Sequence, residues 1–379
     1  MKNVDSPVVI IWGNDNYNVL GLIRNLVPNN ISVFFLINGH GRFCSLYSKY
    51  RPRHAFVPTI DAGIKFLLLR FSNYAKKPIL ITTSDVLAEA VDQNKTMLCE
   101  HFIVMGTTEE GLLTKVLDKN YMVELAKKCN FVLPQSMPCM WNTNISEIQY
   151  PCLLKPNKNI ANHPKEFKTK ICNNINDLSM VLGQVKKDSV FVLQEYIRKE
   201  FDVLIYGCRM HNGDVLLPGA LYKDRWCDGD GSHGYLTSKI PNAISIDSIK
   251  AFLEEIDYYG LFSFEFGLFN GMAYFYEVNL RNDGTSHLFS QSGANLPLAW
   301  VYESNGFDYT NWIQIKNEGF FIDRINDYVN VRKGVVSKKQ WAKEKKEASF
   351  FKFYDVLDLL PYRLEYVKSL VRYLKNNLL

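Results

Sequence analysis

Glu265, Glu277 and Asn279 are the residues whose types and spacing point most directly to chemistry. Two runs rich in aromatic and aliphatic residues, 261–268 and 272–278, flank Phe269-Asn270-Gly271 and read as an antiparallel hairpin. That hairpin sets Glu265 and Glu277 on neighbouring strands, and period-two alternation puts Glu277 and Asn279 on one face. Buried without compensation, two carboxylates and an amide oxygen would repel one another. A hard, oxygen-seeking cation removes the repulsion, and Mg²⁺ held by a few carboxylates and completed by substrate phosphates is the usual arrangement. Arg281, on the same parity, adds a planar fork for a phosphate or an oxyanion. A hairpin whose acids simply face water fits the same residues, and spacing alone does not choose between the two.

The run Phe264-Glu265-Phe266-Gly267 followed by Glu277-Val278-Asn279-Leu280-Arg281 resembles the metal-binding hairpin of the ATP-grasp superfamily. The resemblance covers residues 112–305 with specific motifs and residues 1–110 by architecture only. It implies that Glu265, Glu277 and Asn279 hold Mg²⁺, or Mn²⁺ in its place, against the phosphates of ATP. Within the superfamily the chain looks most similar to carboxylate–amine ligases of the D-aspartate ligase and carbamoyl-phosphate-synthetase-like group.

Length and composition agree with a multi-unit globular protein. At 379 residues, 47% hydrophobic and 13% aromatic, the chain is too long for one ordinary core. Its net charge of +5 is small and its basic residues are scattered until the C-terminal region, which argues against a nucleic-acid surface. Eight cysteines never form a Cys-x-x-Cys pair, so reduced, buried thiols in a cytoplasmic protein are expected in place of disulfides or a zinc site. The first residues lack a signal-peptide core, and no apolar run reaches the roughly 20 residues of a membrane span.

The elements that must position the acids follow from periodicity. Strand-like runs at 8–12, 31–37 and 78–82 alternate with helical patterns at 19–27 and 64–74, which implies an α/β, Rossmann-like parallel sheet. Gly13 and Gly21 lack the remaining glycines of a dinucleotide loop, so a plain strand-to-helix turn is the better reading. The expected division is an N-terminal domain over 1–112, an α+β lid with its leading helices over 113–195, a core over 196–320 and a helical extension over 321–379.

Further candidates rest on the resemblance. Lys119 opens a helix, and the lysine of Pro151-Cys152-Leu153-Leu154-Lys155-Pro156 ends a strand; in the family such cations reach ATP phosphates, though either could be an ordinary surface lysine. Gln194, Glu195, Tyr196 and Ile197 match the hinge that reads the adenine edge, and Glu200 matches the acid on the ribose, with Asp202 as its rival. Lys223 and Arg225, one residue apart on a strand end, are expected to face the same way toward a triphosphate or carboxylate. Residues 228–234 have the composition of a flexible flap or an idle loop, 160–168 that of a mobile tip. His287 begins a helix and either receives the acceptor or has no chemistry. An amphipathic helix over 362–379 is expected to pack back on the body, with peripheral membrane contact as the lesser alternative.

Together these residues imply an ATP-dependent ligase that forms an amide or peptide bond through an acyl phosphate. Lys223 and Arg281 would be its catalytic cations, and an amino acid or small carboxylate its substrate, with cell-surface polymer precursors among the open candidates. The alternatives are a bicarbonate-using enzyme of the carbamoyl-phosphate-synthetase or biotin-carboxylase type, or a non-catalytic ATP-binding scaffold. A homodimer is left open.

Overall fold

The computed structural model describes residues 7–39, 44–156, 169–227 and 229–378. The expected tip at 160–168 lies outside them.

The first unit is a parallel sheet of β1 (Val8–Gly13), β2 (Ser32–Asn38), β3 (Arg53–Val57), β4 (Ile79–Thr82) and β5 (Ile103–Val104), ordered β3-β2-β1-β4-β5. Helices α1 (Tyr17–Leu26), α2 (Ile60–Phe71), α3 (Asp85–Asp92) and α4 (Lys95–Cys99) connect the strands. Because helices cover both faces, β1 and β4 are near-continuous apolar runs instead of alternating, and Val9 to Trp12 are fully buried. No phosphate loop follows β1: the Asn16 side chain caps α1 by accepting from the Asn18 and Val19 N–H groups.

A short strand β6 (Gly106–Thr107) and helices α5 (Leu112–Val116) and α6 (Lys119–Lys128) lead to the lid. Asp118 caps α6, accepting from the Asn120 and Tyr121 N–H groups, and so fixes Lys119 at the first helical position. The lid is an antiparallel sheet of β7 (Ser136–Cys139), β8 (Cys152–Pro156), β9 (Lys170–Cys172) and β10 (Phe191–Glu195), ordered β7-β10-β8-β9 and backed by α7 (Ile175–Leu182).

The third sheet is built from β11 (Phe201–Arg209), β12 (Val215–Leu216), β13 (Ala220–Cys227), β14 (Asp230–Thr237), β15 (Tyr258–Phe269), β16 (Met272–Asn279) and β17 (Gly319–Ile322), with β6 paired to β15. Its central order is β16-β15-β11-β13-β14-β17. Helix α8 (Ile246–Glu255) covers one face, where Phe252, Phe262, Phe264, Phe266 and Phe275 form an aromatic core with Phe131. On the other face α9 (Ser286–Ser292) and α10 (Leu296–Glu303) meet the N-terminal domain, and one apolar cluster runs from Val9 and Val19 through Tyr206 and Phe289 to Trp300. Since β17 straddles residue 320, the C-terminal extension contributes an edge strand to the core sheet.

The glycine-rich segment is not a flap. Asp230–Thr237 is β14, paired to β13 on one side and β17 on the other. Its glycines serve close approach: a Cβ on Gly234 would stand 1.9 Å from the Tyr222 carbonyl oxygen, and one on Gly231 2.7 Å from the Lys223 stem. Beyond the sheet lie α11 (Asp327–Arg332), the basic helix α12 (Lys338–Glu347) and α13 (Leu359–Leu378). All eight cysteines are free, and seven are buried.

Candidate functional site

The hairpin forms over the two expected runs. Glu265 lies opposite Glu277 and Ser263 opposite Asn279 across β15 and β16, while β11 brings Asp202 against Gly267 and β13 brings Lys223 against Asp202. Asp202, Lys223, Ser263, Glu265, Glu277 and Asn279 therefore share the face opposite the aromatic core.

A β-bulge at Tyr276 breaks the ladder between the Glu265–Glu277 and Phe266–Phe275 pairs and turns the tyrosine ring onto the charged face. Gly267 makes room for that ring, since a Cβ there would meet the Tyr276 hydroxyl at 2.0 Å and Cζ at 2.4 Å. Lys155 Nζ stands 5.6 Å and Lys199 Nζ 5.8 Å from the Tyr276 ring centroid.

A cavity of about 720 Å³ opens between this face, the lid and the N-terminal domain. Lys119 contributes from α6, Lys155 and Gln194 from the lid, and Tyr276, Glu277, Asn279 and Arg281 from the hairpin and its exit. Lys155 lies opposite Val192, and alternation sets Gln194 on that same lid face, where its Oε1 accepts from Lys155 Nζ at 2.7 Å. Burial pushes the Lys155 ammonium down to about 8; Glu277 opposes that shift, and Lys119 and Lys199 add to it. This cluster of cations facing an acid needs an anion to complete it.

Across the cavity, burial raises the Glu265 carboxyl above its ordinary value; Lys223 works against this at 3.3 Å, while Glu277, Asp283 and Asp202 reinforce it. Burial also works against the Lys223 charge, but Glu265 and Asp283 outweigh it and raise its pKa. Glu277 is exposed at the cavity, and among the described residues it makes no hydrogen bond or ion pair. The donor set of Glu265, Glu277 and the Asn279 amide oxygen fits a hard divalent cation, whose charge would relieve the repulsion between the paired carboxylates.

Arg281 is already committed. Its Nε donates to Asp85 Oδ1 at 2.8 Å, Nη2 to Asn279 Oδ1 at 3.0 Å and Nη1 to the Asn282 carbonyl at 3.1 Å. It thereby ties the hairpin exit to the start of α3, and Asp283 beside it is held below the ordinary carboxyl range, burial being overcome by Arg281 and the Thr285 donors.

Lys223 and Glu265 adjoin the cavity without lining it, and the expectation that Lys223 and Arg225 face one way fails. A bulge between them turns Arg225 outward, where it forms a two-pronged pair with Asp327 at 2.7 Å and binds Glu344 at 2.7 Å, latching α11 and α12 to the sheet. Glu200 also faces away: its Oε1 accepts from the Asn270 N–H at the hairpin tip. Asp202 faces in, bound to Lys199 at 2.5 and 2.6 Å and to the Trp226 indole N–H. Glu195 is exposed and braces Gln135, Tyr196 is half-buried and Ile197 buried; none of the three lines the cavity. His287 is structural: its Nδ1 pairs with Asn25 Oδ1 at 2.7 Å, and burial, reinforced by Arg24, holds it near 3 and hence neutral.

Tyr276, Lys199, Trp226, Asp85 and Asp283 are site residues that sequence reasoning missed. A glycine at 267 inside a central strand was the available signal for close approach by another group.

No family model matches the chain. A D-aspartate ligase of Enterococcus faecium is 23% identical over 258 residues, 62% of this chain and 61% of that protein. The chain thus spans about three fifths of the length of the curated relative it matches. An N5-carboxyaminoimidazole ribonucleotide synthetase solved as its ADP complex superposes with a TM-score of 0.66 at 12% identity, covering 88% of this chain and 87% of that one. The chain has the ATP-grasp fold. An L-amino acid ligase from Bacillus licheniformis shares the ATP-grasp architecture with a TM-score of 0.62 at 12% identity, covering 83% of this chain and 79% of that one. In an ATP-grasp frame, the parallel sheet, the lid and the acid-bearing hairpin are the three walls of the cavity.

Proposed function

We propose that the chain is an ATP-dependent carboxylate–amine ligase, joining an amino acid or small carboxylate to an amine through an acyl phosphate. The observation that carries this reading is the single cavity that sets Lys119, Lys155 and Gln194 against Glu277 and Asn279. Likeness to a D-aspartate ligase and to a synthetase solved with ADP supports it.

Lys119 and Lys155 hold the nucleotide's phosphates, and the stretch Gln194 to Ile197 reads its base. Asp202, which faces inward, takes the ribose in preference to Glu200. Glu265, Glu277 and Asn279 hold Mg²⁺, which when bound neutralises triphosphate charge. The substrate carboxylate attacks the γ-phosphorus and ADP leaves; the amine then attacks the acyl carbon and phosphate leaves. This chemistry asks for positioning and charge compensation, and no protein nucleophile is needed. Lys223 opposes the burial that favours the neutral form of Glu265. Arg281, with its fork engaged, acts as a positioning residue that holds the Asn279 oxygen and the N-terminal domain in register.

The test is ADP and phosphate release by the full chain across a panel of amino acids and organic acids. The expected result is turnover only when a carboxylate and an amine are both present, lost in Glu277→Gln. Turnover by Glu277→Gln at the wild-type rate would remove the metal assignment, and turnover sustained by bicarbonate alone would replace the ligase reading with a carboxylating one.

A further inference from the structure

Helix α13 runs over Leu359–Leu378, and only its start is firmly packed. Arg24 donates to Asp358 from Nε at 3.0 Å and to the Asp358 carbonyl from Nη2 at 2.9 Å, both side chains being buried. The Ser48 hydroxyl donates to Asp358 at 2.7 Å. These bonds fix the helix on the N-terminal domain, so its outer face is presented by a rigid body.

That outer face is apolar where packing back was expected. Tyr366, Val367, Leu370 and Leu374 are 52%, 55%, 46% and 43% exposed, and with Arg363 they follow the i, i+3, i+4, i+7, i+11 spacing of one helical stripe. The patch continues into the preceding turn through Val356 and Leu357, 68% and 66% exposed. The inner face is different: Glu365, Lys368 and Arg372 border a cleft against Asp15 and Tyr17, with Val371 and the edge of Val367 beside them, and Glu365 pairs with both cations.

Charge decides what the outer stripe suits. Over residues 359–378 the helix carries Arg363, Lys368, Arg372 and Lys375 against a single acid, Glu365, which is spent on the inner face. Stripe-to-stripe pairing of two copies would bury Arg363 of each in an apolar seam with no carboxylate on the helix to offset it. A bilayer surface with anionic headgroups satisfies both features: the half-exposed tyrosine and aliphatic side chains enter the acyl boundary, and the cations extend to the phosphates. Among the described residues no helix is long and apolar enough to cross a membrane, so the contact would be peripheral. We propose that α13 docks the protein in-plane on an anionic lipid surface.

The full chain is sedimented with vesicles of phosphatidylcholine alone and of phosphatidylcholine mixed with phosphatidylglycerol. Binding is expected to the mixed vesicles only, to be released by high salt, and to fall at least about tenfold in Leu370→Glu, the ratio for losing one leucine's transfer from water. Arg363→Glu should weaken binding while nucleotide affinity stays at the wild-type value. Absence of binding to the mixed vesicles, or equal binding to both kinds, would overturn the proposal. So would a concentration-dependent dimer in light scattering that Leu370→Glu abolishes, since the stripe would then serve a second copy.

Discussion

Replacing Lys155 with methionine should stabilise the protein while weakening nucleotide binding, a pair of opposite signs that a merely structural lysine would not give. The ammonium is pushed from the ordinary 10.5 to about 8, chiefly by burial. A depression from 10.5 to about 8, at about 1.36 kcal/mol per pH unit, means that holding the charge in place costs about 3–4 kcal/mol at most. Methionine keeps the volume and removes the charge, but it leaves Gln194 Oε1 without the donor it now has at 2.7 Å, a loss of about 1–3 kcal/mol where water cannot replace it. The net expectation at neutral pH is a gain of about 1 kcal/mol, read as a higher denaturant midpoint at unchanged slope.

The sign of the pH dependence follows. Lys155 is harder to protonate in the folded state, so the penalty is complete below about pH 8, shrinks between 8 and 10.5, and is gone above 10.5. The advantage of Lys155→Met must shrink across that window. Nucleotide affinity should fall about 10- to 100-fold, the worth of one charge-assisted bond to phosphate. If the variant lost stability and still bound ATP normally, the charge would be structural and the phosphate assignment for this lysine would be refuted.

The latch residue behaves oppositely. Arg225→Met strands Asp327, whose side chain is fully buried, and should cost about 3–5 kcal/mol while leaving nucleotide affinity intact; calorimetry and nucleotide titration on one preparation separate the two effects. His287 is held neutral near 3, below the 6.5 of an ordinary imidazole. The unfolded state therefore takes up a proton first, and stability contributed by neutral His287 is present above about pH 6.5 and is lost as pH falls toward 3. Denaturation at stepped pH should show that acid limb flattened by up to about 1.4 kcal/mol per pH unit in His287→Gln, with no change in the pH profile of turnover.

Alternation and turn chemistry determined a good part of this protein from the sequence. The hairpin, the placing of Glu265 and Glu277 on neighbouring strands, the common face of Glu277 and Asn279, the parallel N-terminal sheet and the lysine near the end of β8 all follow from period two, apolar runs and one Asn-Gly turn, which are local properties of the chain. The direct pairing of Glu265 with Glu277, by contrast, needs the bulge at Tyr276. What tertiary structure alone decided begins where locality ends. One inserted residue at each of two bulges reverses every parity argument beyond it, which is why Arg225 points at α11 and Tyr276 points into the cavity. The glycines of β14 and Gly267 answer to groups on the paired strands beside them, so composition read as flexibility in β14 where the fold uses closeness. Arg281 is engaged by Asp85, nearly 200 residues away, and no spacing rule reaches that far. The charges of the site were written in the sequence, but the partners that hold each of them were chosen by the packing of three sheets around one cavity.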